Sequence, residues 1–175
     1  MRPPITSPSR SPLTFREIEA EAERIALEKK FDRENETIVE FAERLGGAVR
    51  VLSRPSVEEL ESGSLIVRAP KDFVIYLSPT TGVLRDNFTV AHELGHYFLH
   101  TGSPPGTVPL IIGRYGSNPV EQQANRFAAG LLMPRGDFIT TAQRTNNNCP
   151  ILAGRFGVSL AAVDARLRSL GMISE

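Results

Sequence analysis

The stretch Ala91-His92-Glu93-Leu94-Gly95-His96 restricts the architecture of this 175-residue chain more than any other. Phe88, Ala91, Leu94, Gly95 and Phe98 around it recur at helical spacing, so residues 85–100 read as one helix. At ~3.6 residues per turn His92 and His96 lie one above the other and can share one ion. Glu93, one step round from His92, then stands beside that ion. Two imidazoles and an adjacent carboxylate are what zinc hydrolysis needs: ligands for Zn2+, and a base for the water it binds. All three histidines of the chain, His92, His96 and His100, fall in this run. His100 continues the ladder, but helical drift carries it away from His92, which makes it a packed histidine or a partner of a ligand rather than a ligand.

A catalytic zinc site takes three protein ligands, so one more must come from elsewhere. Residues 119–133 form a second helix, with Ala124, Phe127, Ala128 and Leu131 on one apolar face and Pro134 as its stop. Glu121 lies in its first turn and Asn125 one turn later. In one reading Glu121 is the third ligand and Asn125 accepts the free N–H of a ligand histidine, fixing its tautomer. In the other, Glu121 is the N3 member of a capping box with Asn118 as N-cap and Pro119 at N1. Spacing alone leaves both open. Gly95 costs ~1 kcal/mol relative to Ala within a helix, which suggests close approach by another element.

Around these two helices the chain reads as α+β. Residues 1–12, with four prolines and no apolar central region, lack the form of a secretory signal and are expected to be a disordered tail. Helical stripes follow, Phe15, Ile18, Ala22, Ile25 and Ala26, then Ile38, Phe41, Ala42 and Leu45, with Gly46-Gly47 as the stop. Residues 48–52, 65–67 and 73–77 are β-prone and separated by turn material, which predicts a small antiparallel or mixed sheet packed on helices. Residues 101–118, rich in Gly and Pro, are expected to be a long surface loop. Residues 145–148 read as a linker and residues 150–173 as a helical pair. The expected division is therefore a tail over 1–12, a metal-binding domain over 13–144 and a helical module over 145–175.

The two motif blocks carry a resemblance. Asn87-Phe-Thr-Val-Ala-His92-Glu93-Leu-Gly-His96-Tyr-Phe-Leu-His100 followed by Glu121-Gln-Gln-Ala-Asn125-Arg-Phe-Ala-Ala-Gly-Leu-Leu-Met-Pro134 resembles the ImmA/IrrE-type metallopeptidases. The resemblance implies a zincin-like minimal metallopeptidase of gluzincin type, with zinc on His92, His96 and Glu121 and Glu93 as catalytic base. It also implies an intracellular endopeptidase that cuts a partner protein, a helix-turn-helix transcriptional repressor, during stress or mobile-element induction. An extended substrate would then add to an exposed sheet edge, taken here as residues 73–77. The tail and residues 101–118 give no match. Tyr76, Tyr97, Arg114 and Tyr115 are candidates to stabilise the oxyanion, and the sequence does not choose among them.

Ala153, Gly157 and Val163 match the small-residue, turn-glycine and core-valine spacing of a helix-turn-helix, with Ser159 as cap of its second helix. Leu160, Ala161 and Ala162 at the start of that helix cannot make bidentate base contacts, so DNA is the weaker reading even though Arg155, Arg166 and Arg168 offer phosphate contacts. Lys plus Arg and Asp plus Glu are 20 each, which removes any global attraction to nucleic acid or anionic membrane. No apolar run spans a bilayer. The single cysteine, Cys149, excludes an internal disulfide framework and fits a reducing compartment, so a cytoplasmic location is expected. Cys149 reads as a linker thiol before it reads as a fourth zinc ligand. Three classes follow: a zinc endopeptidase, a DNA-binding regulator, and a zinc protein that holds its partner without cutting it.

Overall fold

The computed structural model describes residues 8–52, 65–112 and 118–174. Helix α1 (Phe15–Glu28) and helix α2 (Ile38–Arg44) both start in capping boxes, Thr14 with Glu17 and Thr37 with Glu40. Each box satisfies amides that a first helical turn leaves bare. Ile18, Ala22, Ile25 and Ala26 of α1 are buried along one stripe. After α2, Gly46 turns the chain at φ 96°, and a Cβ there would sit 2.3 Å from the Lys71 carbonyl, so glycine is required twice over.

Strands β1 (Gly47–Val51), β2 (Leu65–Ala69), β3 (Asp72–Leu77) and β4 (Leu110–Ile112) form one sheet in the order β1-β3-β2-β4. β1 runs parallel to β3, and β2 antiparallel to both β3 and β4, so the sheet is mixed. Two sequence expectations are corrected here. Residues 73–77 are hydrogen-bonded to strands on both sides and offer no free edge; among the described residues β1 and β4 are the edges. Phe73, Val74, Ile75 and Leu77 are all buried, the near-continuous apolar run of a strand covered on both faces. The stretch 101–118 is not all loop, because it holds β4, three residues too short to show a period among glycines and prolines.

Helix α3 (Val83–His100) packs closely on helix α4 (Pro119–Leu132). A Cβ on Gly95 would lie 3.0 Å from both the Ala124 carbonyl oxygen and the Phe127 Cβ, so the bare backbone sets this approach. The ~1 kcal/mol that glycine costs the helix is outweighed by full burial of Phe127 beside it, worth roughly 2 kcal/mol or more. Helix α5 (Arg135–Arg144) follows Pro134 directly. Its buried stripe is only Phe138 and Ala142, too thin to stand out in the sequence.

Helices α6 (Cys149–Phe156) and α7 (Leu160–Ser169) are joined through Gly157 at φ 62°, and the Ser159 hydroxyl accepts the Ala162 amide at 3.2 Å. Leu152, Val158, Val163 and Leu167 lie in the same buried cluster as Ile18, Ile75 and Leu94. Arg166 is buried there: it donates to the Met133 carbonyl at 2.9 Å and lies 2.8 Å from Glu19 Oε1, a charge contact rather than an aligned hydrogen bond. It is therefore withdrawn from any phosphate. At the other end, Ser11 belongs to the stretch expected to be a disordered tail, yet it is buried, with its amide 3.0 Å from Gln123 Oε1 and its carbonyl 2.8 Å from Gln123 Nε2. Among the described residues no helix is long and apolar enough to cross a membrane.

Candidate metal centre

Helix α3 places His92, Glu93, His96 and His100 within two turns, and α4 brings Glu121 to them from its first turn. His92 Nε2 lies 3.0 Å from Glu121 Oε2, His96 Nε2 3.2 Å from Glu121 Oε1, and the two Nε2 atoms 3.0 Å from each other. One ligand atom from each residue thus falls within 4.8 Å of the other two. Glu121 has its amide at a helix cap and its carboxylate at the imidazoles. The amide donates to Asn118 Oδ1 at 2.9 Å.

The outer nitrogens of the two histidines are also engaged. His92 Nδ1 lies 2.8 Å from Oδ1 of the exposed Asn125. His96 Nδ1 lies 3.0 Å from His100 Nδ1, and His100 Nε2 lies 3.2 Å from Gln123 Oε1, all of it buried. His100 therefore touches a member of the triad without joining it. Glu93 is buried as well, and its Oε2 has no hydrogen-bond partner among the described residues. A buried carboxylate oxygen left unpaired costs about 1–3 kcal/mol or more, which marks it as an atom awaiting a partner.

Electrostatics follow from this packing. Burial pushes the Glu121 carboxyl up, but hydrogen bonds from His92 and His96 and the attraction of both rings outweigh it and hold the group down at about 2. At His92 burial opposes the charged form, and the Glu121 hydrogen bond, the charges of Glu93 and Glu121 and the Asn125 hydrogen bond overcome it, leaving the pKa above the ordinary histidine value. Burial, then the neighbouring His96, lowers His100 to about 4, so it stays neutral near pH 7.

A carboxylate and two imidazole nitrogens facing one point form a donor set of one kind. A tetrahedral zinc with bonds of about 2.0–2.1 Å would hold its ligand atoms about 3.3 Å apart, close to the separations present. Against known proteins, a family model described as the IrrE N-terminal-like domain, of peptidase family M78, matches residues 42–168. The chain belongs to this family. M78 peptidases are zinc-dependent in general, and the match takes in the triad, Glu93, Asn125, His100 and Gln123. A solved structure of a Mycobacterium tuberculosis transcriptional regulator shares the fold with a TM-score of 0.60 at 18% identity, over 87% of this chain and 46% of that one. The M78 chain thus spans less than half of that regulator's length. Comparison with curated proteins gives no match.

The other sequence candidates fall outside the triad. Tyr97 is buried, its hydroxyl accepting the Lys71 amide at 3.0 Å and donating to the Pro105 carbonyl at 3.3 Å, so it is committed to holding the β2–β3 turn. Tyr76 is half-buried on β3, in register with Arg50. Arg114 and Tyr115 lie outside the described residues. Cys149 opens α6, with its thiol 3.7 Å from the Asn147 carbonyl. Gln123 and Ser11 were not read from the sequence. Gln123 had left a sign: it falls with Val120, Ala124 and Phe127 on one buried stripe, a polar residue interrupting an apolar face. Ser11 left none.

Proposed function

We propose that this M78 protein is a zinc-dependent endopeptidase that cuts a partner protein, with His92, His96 and Glu121 as zinc ligands, Glu93 as catalytic base and Asn125 orienting His92. The observation that carries this is the convergence of His92 Nε2, His96 Nε2 and the Glu121 carboxylate, with the unpartnered Oε2 of Glu93 on the same helix. Zinc held there supplies an acidified water and a polarised peptide carbonyl. Glu93 does the proton work, taking one proton from the attacking water and returning it to the departing amine nitrogen. Its burial strengthens its interaction with the charge that develops in the reaction. Asn125 accepts from His92 Nδ1 and keeps the inner nitrogen of that ring free to bind.

We infer that the substrate is a helix-turn-helix repressor and that both proteins are cytoplasmic, as the ImmA/IrrE resemblance implies. An extended substrate segment is best served by β4, an edge of the sheet among the described residues, whose last residue, Ile112, is six residues before the cap of the Glu121 helix. We read α6 and α7 as a helix-turn-helix-like module that docks protein rather than DNA. All three arginines offered to phosphate are engaged within the chain: Arg166 with Glu19 and Met133, Arg155 with Glu34 and Asp137, Arg168 with Asp164.

The test is reconstitution with zinc and incubation with the repressor encoded nearest this gene, read by intact mass. The parent should bind one equivalent of zinc and cut, whereas Glu93→Gln should keep its zinc and lose ~10²–10⁴-fold in cleavage rate. Lack of stoichiometric zinc overturns the ligand assignment. Zinc without cleavage of any repressor returns the protein to the class that binds without cutting.

A further inference from the structure

The outer nitrogen of His96 is reached by a chain of hydrogen bonds whose direction is set at its far end. Ser11 contributes main-chain groups of fixed character, an N–H that only donates and a C=O that only accepts. With that N–H 3.0 Å from Gln123 Oε1 and that C=O 2.8 Å from Gln123 Nε2, the Gln123 amide has one orientation. Its Oε1 also faces His100 Nε2 at 3.2 Å, and since this oxygen only accepts, His100 Nε2 carries the ring hydrogen. A neutral imidazole has one such hydrogen, so His100 Nδ1 presents a lone pair. His96 Nδ1, 3.0 Å away, must then be the donor, and His96 Nε2 is left as a lone pair facing Glu121 and His92.

We propose that His100, Gln123 and the Ser11 main chain form a relay that holds His96 in the tautomer able to bind zinc through Nε2 and so raises the affinity of the site. The inference rests on the zinc reading above and extends it to residues that touch neither metal nor substrate. His96 and the three members of the relay are all buried, so water does not compete for the bonds. The anchor lies outside the residues that match the M78 family, because Ser11 precedes 42–168. Among the described residues His92 has no such device, its Nδ1 meeting a single exposed amide. His100 and Gln123 are positioning residues, acting on the metal only through His96.

Three variants of the full-length chain test the relay: His100→Leu removes the acceptor for His96, His100→Asn replaces it with an amide oxygen, and Ser11→Pro deletes the one N–H that orients Gln123. Zinc affinity is read by competition with a chromophoric chelator, and the protonation of each ring nitrogen by ¹⁵N NMR of the zinc-loaded protein. His100→Leu should bind zinc ~10–100-fold more weakly, the loss usual when the hydrogen-bond partner of a metal ligand is removed. His100→Asn should recover most of that loss, Ser11→Pro should weaken binding several-fold, and the parent should show His96 protonated at Nδ1. A purely structural role would lower thermal stability without changing the tautomer and without rescue by Asn. Unchanged zinc affinity in His100→Leu or in Ser11→Pro, no recovery in His100→Asn, or an unprotonated His96 Nδ1 overturns the relay. Where the parent binds zinc, each of these leaves the peptidase reading standing; a parent that takes up no zinc overturns both.

Discussion

His92 and His96 come from one motif and face one carboxylate, yet the molecule supports them in opposite ways. The His92 side chain is 16% exposed, and its outer nitrogen meets Asn125 from the neighbouring helix at the surface. The His96 side chain is 1% exposed and is backed by His100, Gln123 and Ser11, a connection spanning 112 positions between its last two members. A half-open imidazole can rely on water when its partner leaves. A buried one cannot, so its support must be complete within the protein. The open flank therefore rests on one amide, and the closed flank ties the triad to the fold.

Gln123→Ala probes the closed flank hardest. It strands the Ser11 amide, the Ser11 carbonyl and His100 Nε2 in the interior, and should cost about 3–4 kcal/mol of stability in urea unfolding of the metal-free protein. A loss below about 1 kcal/mol would show that water serves these groups and that the two flanks are alike.

The flanks should also answer to pH with opposite signs in the metal-free chain. His100 is depressed from 6.5 to about 4, so the stability it contributes is complete above about 6.5 and is lost as pH falls toward 4, up to about 2–3 kcal/mol. His92 is raised, so its contribution is complete below about 6.5 and is lost as pH rises through its folded value. Replacing His100 with Asn should flatten the acid limb of a stability profile between pH 6.5 and 4. An acid limb unchanged by that substitution would refute the assignment of the effect to His100.

Asn125→Ala should have the smallest effect. Zinc binding should weaken ~10-fold, about 1.4 kcal/mol, with unfolding of the metal-free protein unchanged because the side chain is exposed. A stability loss as large as that of Gln123→Ala would erase the contrast between the two flanks.

How legible the molecule was depends on how far apart its partners lie. His92, Glu93 and His96 are within one turn of each other, so helical periodicity placed them with no knowledge of the rest. The stripes on α1 and α4 were equally plain, because each carries four or more apolar residues at fixed spacing. Spacing alone does not place Glu121, since a helix cap and a metal ligand ask for the same residue at the same place; the structure gives its amide to the Asn118 side chain and turns its carboxylate to the imidazoles. β4 and α5 went unread because three apolar residues, or two, make no period. The sheet order is out of local reach as well, so the sequence of residues 73–77 does not show that the strand is central. Strand pairing is decided by which surfaces remain to be buried once every element is present, and a local pattern does not encode it.

The sequence by itself determined one helix face with two imidazoles and a carboxylate, a second helix able to present another carboxylate, a neutral net charge, and an α+β arrangement of elements. Only the tertiary structure decided that Glu121 meets both imidazoles, that β3 is central, that Arg166 is buried, and that Ser11 is wired to His96 through two other side chains. The first group rests on local geometry, which spacing states directly. The second rests on hydrogen bonds between residues up to 112 positions apart, which exist only after the core has closed and excluded the water that would otherwise take their place.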